Sequence, residues 1–123
     1  MNLGIAIAIA SEGFKNIKDK NDRPYILHCL RVMNNLNTDD EELQIIAVLH
    51  DIIEDNIISM EDLIYKYKFS KRVITALMLL IHDPIILSYY EYIKKIALNN
   101  DARLVKLADL KDKNDITRLK GIT

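Results

Sequence analysis

Residues that make tight turns are scarce in this chain, with three glycines and two prolines among 123 residues. A sheet-rich chain of this length would need many such turns, so the scarcity points to many helices joined by few sharp reversals. The cap signals divide the chain in the same way. Ser59-Met60-Glu61-Asp62 and Ser88-Tyr89-Tyr90-Glu91 read as capping boxes opening helices through Tyr67 and Leu98. Ser70 caps a helix through Ile81, and Asn99, Asn100 and Asp101 offer a cap for one from Ala102 to about Lys111, with a further turn from Asp115 to Lys120. Pro24 suits a first helical turn, with Asp22 as its cap, and opens a helix from Tyr25 to Leu36. Thr38 to Glu42 is an acidic helix start leading into a helix from Leu43 to Asn56. Met1 to Ser11 alternates Ile and Ala like a strand. Its alanine content and the lack of a partner strand favour a buried helix, stopped at Gly13. The expected class is all-α, and residues 1–123 are expected to form a single domain large enough for a core without disulfides.

Charge excludes some functions. The formal net charge is −1, so no global field draws the chain to nucleic acid or to a membrane surface. An anionic ligand would have to be held by a local cluster of Lys and Arg. The apolar run Leu3 to Ala10 is too short to span a bilayer and lacks the basic start of a signal peptide. The lone cysteine, Cys29, sits in an apolar segment as a small core residue, which suits a reducing cytoplasm. Nothing in the pattern specifies an oligomeric state.

Within this helical frame one stretch carries chemistry: Leu49-His50-Asp51-Ile52-Ile53-Glu54-Asp55. Carboxylates alone would read as the solvated edge of an amphipathic helix. An adjacent imidazole and carboxylate are ligands for a divalent metal, and on a helix Glu54 and Asp55 share their face, placed to handle the proton of an attacking water. One helix cannot supply a full coordination shell. His28, beside the apolar stripe of the preceding helix, is the leading candidate for a third ligand. Asp109 stands within the apolar run Leu104 to Leu110, where a buried carboxylate must be paired, hydrogen-bonded or metal-bound. Carboxylates gathered for an ion repel one another without it, so replacing Asp109 with Ala is expected to destabilise the metal-free chain less than a core change usually does.

With this order of His28, His50-Asp51 and Asp109, the chain resembles the HD-domain metal-dependent phosphohydrolases, and more closely the hydrolase branch of the RelA/SpoT type in its small stand-alone bacterial and phage forms. The residues that carry the likeness are Asp19-Lys20, Pro24-Tyr25-Ile26-Leu27-His28, Ala47-Val48-Leu49-His50-Asp51-Ile52-Ile53-Glu54-Asp55 and Glu61-Asp62-Leu63. It continues through Leu80-Ile81-His82-Asp83, Ser88-Tyr89, Tyr92-Ile93 and Val105-Lys106-Leu107-Ala108-Asp109-Leu110, to Asp115, Thr117, Arg118 and Leu119. Departures fall away from the ligands. Phe14 and Asn16-Ile17 stand where the family commonly has a histidine and a Gly-Gln pair. Asp22 replaces the usual glycine, Ile81 stands in a Leu-Thr-His element, and Lys113 takes the place of an asparagine, with Asn114 just beyond.

The resemblance implies a compact HD-domain helical bundle with a central metal held by His28, His50, Asp51 and Asp109. It implies that Glu54 and Asp55 assist removal of the 3′-pyrophosphate from (p)ppGpp-like guanosine nucleotides. Mixed nitrogen and oxygen ligation suits manganese, iron or cobalt more than calcium, with Mn2+ the leading choice. Lys18, Lys20 and Arg23 in a basic, mobile segment before His28, and Lys106, Lys111 and Lys113 around Asp109, would neutralise phosphate. His82, Tyr89 and Asn114 complete the expected substrate contacts. Two alternatives stand beside this reading. One is a nucleotide phosphomonoesterase acting on a nucleoside monophosphate or the 2′-phosphate of NADPH. The other is a non-catalytic nucleotide-binding module that keeps the metal as a structural element.

Overall fold

The computed structural model describes residues 2–53 and 57–115. The architecture is all-helical: α1 (Leu3–Gly13), α2 (Tyr25–Asn35), α3 (Glu41–Leu49), a π-helical turn (Asp62–Lys66), α4 (Lys71–Leu80), α5 (Tyr89–Ala97) and α6 (Asn100–Lys113). Among the described residues the only strand-like pairing is an isolated bridge between Lys18 and Pro24. No described helix is long and apolar enough to cross a membrane.

The bundle is built around α3. It packs against α1, α2, α4 and α6, and Leu43 and every residue from Ile45 to Leu49 is buried. A helix apolar on all sides belongs at the centre of a core. Asp40 starts it by accepting the Leu43 amide. The serine and asparagine caps of the later helices are made as the sequence predicts. Ser70 accepts from Val73, Ser88 from Glu91, and Asn99 from Ala102. Arg72 then ties three helix starts together, reaching Asp40 at 2.6 Å and Asp101 at 2.9 Å.

Several expectations need correction. α1 is not buried all round; only Ala6 and Ala10 are, and Ile5 is 40% exposed. The alanines, one turn apart, let α1 lie close on α3 while its isoleucines flank the contact. Gly13 ends α1 for a packing reason, since a Cβ there would lie 2.0 Å from Cγ2 of Ile57.

The segment 14–23 is a folded loop, not an open basic tether. Phe14 is buried against the Tyr25 ring, with centroids 4.8 Å apart. The Asp19 carboxylate accepts the amides of Asn21 and Arg23 at 2.8 and 3.0 Å. Asp22 does not cap α2, whose N-cap is Pro24 without a side-chain hydrogen bond. Asp22 instead sits at φ 62°, the left-handed conformation for which glycine is the usual choice and which Asp tolerates better than most residues.

The largest difference is at α3. The expected helix through Asn56 ends at Leu49, with His50 as its C-cap. The His50 ring supplies the reason. Its Nδ1 lies 2.6 Å from the carbonyl of Ala47, the acceptor that the Asp51 amide would use if the helix continued. The chain therefore turns over residues 51–53.

Candidate metal centre

The buried polar and charged side chains among the described residues are His28, His50, Asp51, Asp109 and Asp112, and all five gather at one place. α2 brings His28, the end of α3 brings His50 and Asp51, and α6 brings Asp109 and Asp112, one turn apart on its inner face. His50 and Asp51 converge although they are adjacent in the chain. Successive residues of a continuing helix point about 100° apart and do not meet; here His50 Nε2 lies 3.0 Å from Asp51 Oδ2.

Asp109 is the hub. Its Oδ1 is 2.9 Å from His28 Nε2 and 3.3 Å from His50 Nε2. Its Oδ2 is 3.4 Å from Lys106 Nζ and 3.3 Å from Lys113 Nζ. Burial would raise the Asp109 pKa, but the two imidazoles and Lys113 outweigh it and hold the carboxyl well below its usual range. The expectation of a repulsive carboxylate cluster is thus corrected, because Asp109 is ringed by donors and cations. For Asp51, burial is outweighed by His50 and by the Tyr25 hydroxyl, which donates to Oδ2, and its pKa is also lowered. His50 responds in kind. Burial alone would lower its pKa, yet Asp51 and Asp109 raise it to about 10.

Both histidines present the same nitrogen to the centre. A carbonyl can only accept, so His50 Nδ1 must donate to Ala47, leaving Nε2 for the cluster. His28 Nδ1 faces Asp112 Oδ2 at 2.6 Å, and its Nε2 also points inward. One ligand atom from each of His28, His50, Asp51 and Asp109 lies within 4.8 Å of the others. Opposite ligands of a small divalent ion stand about 4.2 Å apart, so the four need close by only a few tenths of an ångström around one. Four acceptor groups facing one point hold together around a cation, and this donor set fits a divalent metal with nitrogen and oxygen ligands.

Two cavities adjoin the centre. A larger one of about 480 Å3 is lined by Lys18, Asp19, Lys20, Asn21, Tyr25, Arg31 and Lys113, with His28 in its wall. A smaller one of about 180 Å3 reaches Asp51 and Asp109, with His82, Tyr89, Tyr92 and Lys106 around it. The His82 ring stacks on Tyr92 at 4.5 Å and donates from Nε2 to the Leu87 carbonyl at 3.0 Å. The structure thus brings Lys18, Lys20, His82, Tyr89, Lys106 and Lys113 to the site. Arg23 and Asn114 line neither cavity, and Lys111 is exposed on α6. Glu54, Asp55 and the turn expected at the C-terminus, beyond Asp115, lie outside the described residues. Sequence reasoning passed over Arg31 and Asp112. The signal was there, because each falls three residues after a proposed ligand, on the same helix face.

No family model and no curated protein matches this chain. A solved structure does: that of a metazoan ortholog of SpoT that hydrolyses ppGpp and plays a role in starvation responses. It matches with a TM-score of 0.75 at 25% identity, over 90% of this chain and 67% of that one. The fold is that of a compact HD-domain helical bundle, and the cluster of His28, His50, Asp51 and Asp109 fits an HD metal site. Within that class, the chain resembles the RelA/SpoT-type hydrolases.

Proposed function

We propose that this chain is a metal-dependent phosphohydrolase that removes the 3′-pyrophosphate of (p)ppGpp-like guanosine nucleotides, with His28, His50, Asp51 and Asp109 holding one divalent ion, Mn2+ being the leading choice. The observation that carries the reading is the juxtaposition of a buried two-histidine, two-carboxylate cluster with a cavity lined by Lys18, Lys20, Arg31 and Lys113. In a near-neutral chain, this is where a highly anionic nucleotide finds its countercharge. The match to a ppGpp hydrolase supports the same reading.

A bound divalent ion supplies Lewis acidity, which makes water a better nucleophile and phosphorus a better electrophile. The chain supplies the rest. Nδ1 of His50 donates to the Ala47 carbonyl, which aims that imidazole inward. Lys106 and Lys113, already on Asp109, neutralise phosphate charge at the centre, and Lys18 and Lys20 do so in the larger cavity. Glu54 or Asp55, following closely on the turn after α3, takes the proton from the attacking water. Water adds at phosphorus, the bond to the 3′ oxygen breaks, and that oxygen takes up a proton, giving pyrophosphate and GDP or GTP.

The test is a nucleotide panel turned over by the full chain with Mn2+, Co2+, Zn2+ or Mg2+, the products identified by which phosphate was lost. Pyrophosphate from ppGpp or pppGpp is the expected result. Inorganic phosphate from nucleoside monophosphates or NADPH instead would assign a phosphomonoesterase. Tight metal binding without turnover of any nucleotide would assign a non-catalytic module.

A further inference from the structure

Asp112 is as buried as Asp109, with both side chains 2% exposed, yet it is not one of the four groups whose ligand atoms converge. Both of its oxygens are engaged elsewhere. Oδ2 lies 2.6 Å from His28 Nδ1 and Oδ1 lies 2.7 Å from Arg31 Nε. Arg31 sits on α2 one turn after His28, and Asp112 on α6 one turn after Asp109. The two helices are thus tied by a chain of contacts, Arg31 to Asp112 to His28, running parallel to the one through Asp109. The arrangement is not optimised for stability, because Nη2 of Arg31 is buried without a hydrogen-bond partner among the described residues.

We propose that Asp112, clamped by Arg31, is the positioning residue of this centre. It accepts the Nδ1 proton of His28 and so fixes both the ring orientation and the Nε2 lone pair that a metal needs. The inference rests on the metal reading of the cluster and deepens it. Arg31 contributes in two ways. It holds the Asp112 carboxylate in the plane that His28 requires, and it occupies Oδ1 while His28 occupies Oδ2, which keeps Asp112 out of competition for the ion. Ligand imidazoles commonly donate their second nitrogen to a carboxylate or carbonyl, and loss of that partner weakens metal binding by about 10-fold to 100-fold. His50 has a backbone partner that no substitution removes, so the effect of changing Asp112 must appear at His28 alone.

That asymmetry gives the test an internal control. Nitrogen-15 spectra of the imidazoles are recorded for wild type, Asp112→Ala, Asp112→Asn and Arg31→Met, metal-free and with Zn2+, and Zn2+ affinity is measured in parallel. Wild-type His28 is expected to carry its proton on Nδ1. In metal-free Asp112→Ala the His28 signals should lose that signature, His50 should keep its own, and Zn2+ affinity should fall by about 10-fold to 100-fold. Asp112→Asn keeps the shape and one acceptor oxygen without the charge, so it should weaken Zn2+ binding less than Asp112→Ala. Arg31→Met should also do so, since Asp112 remains. A wild-type His28 protonated on Nε2 alone would overturn the proposal without any variant having to fold. So would Asp112 variants that bind Zn2+ as wild type does. If wild type itself binds no Zn2+, the metal reading fails and takes this inference with it.

Discussion

The two histidines of the centre deliver the same atom by different means. His50 is aimed by the backbone: it sits at the end of α3 and donates Nδ1 to a carbonyl of that same helix, Ala47. His28 lies within α2 and is aimed by a side chain from α6, Asp112, itself held by Arg31. The His50 arm is local and costs the chain its helix, which stops at Leu49. The His28 arm is long-range, joining residues 84 positions apart, and leaves α2 intact. A locally aimed ligand depends on one helix end. One aimed across the bundle depends on α2 and α6 staying packed, and so links the metal centre to the integrity of the fold.

The change that breaks both arms at once should have the largest effect. Asp109 is the carboxylate that both Nε2 atoms face, with Lys106 and Lys113 on its other oxygen. Asp109→Ala should abolish binding of Mn2+ or Zn2+ in a calorimetric titration. It should also lower the stability of the metal-free chain to urea by about 1.5–3 kcal/mol, because it removes a charge-assisted hydrogen bond to the buried His50, which keeps only Asp51. A metal-free variant as stable as wild type would return Asp109 to the role of one carboxylate in a repulsive set.

A change at the proposed proton acceptor should separate chemistry from binding. Glu54→Gln or Asp55→Asn should slow turnover by about 100-fold or more, the usual worth of a positioned proton acceptor, with metal content unchanged. Loss of the metal in either variant would make that residue a ligand instead.

Acidity distinguishes the His50 arm. In the metal-free chain its pKa is raised from 6.5 to about 10 by Asp51 and Asp109, against the effect of burial. The folded state therefore binds this proton more tightly than the unfolded state. The resulting stability is complete below about pH 6.5 and is lost as pH rises through about 10. Metal binding has the opposite sign, since the ion must displace the proton. Affinity should rise by up to about tenfold per pH unit between these limits, with a proton released on binding. Calorimetry in buffers of different ionisation enthalpy counts that proton, and binding without proton release below about pH 10 would contradict the assignment.

Tyr25→Phe should have the smallest effect. It deletes the hydroxyl that donates to Asp51 Oδ2 and leaves both histidine arms standing. A loss of about 1 kcal/mol in urea unfolding and a weaker but intact metal site are expected. A loss of metal as complete as that of Asp109→Ala would show that Asp51 depends on Tyr25 as His28 depends on Asp112.

The same contrast explains what could be read in the sequence. Caps at Ser70, Ser88 and Asn99 are local, and each appears in the structure where the sequence places it. The adjacent His50-Asp51 pair and Asp109 in its apolar run stood out as residues, and the resemblance to the HD-domain hydrolases joined His28 to them; the structure gathers all four. The end of α3 was not legible, because apolar periodicity continues through Ile52 and Ile53 and nothing in it signals that an imidazole will take the Ala47 carbonyl. Phe14 looked like loop because its neighbours are polar; only the approach of Tyr25 makes it core. Arg31 and Asp112 each fall one turn after a proposed ligand, but pairing them required knowing that α2 and α6 are neighbours.

The central claim is that His28, His50, Asp51 and Asp109 share one divalent ion, and diffraction from crystals of the full chain soaked in Mn2+ tests it most directly. Data collected at the manganese absorption edge should show one anomalous peak within about 2.0–2.3 Å of an atom from each of the four side chains. Crystals that take up no manganese at the cluster, or that bind it only at surface carboxylates, would contradict the account.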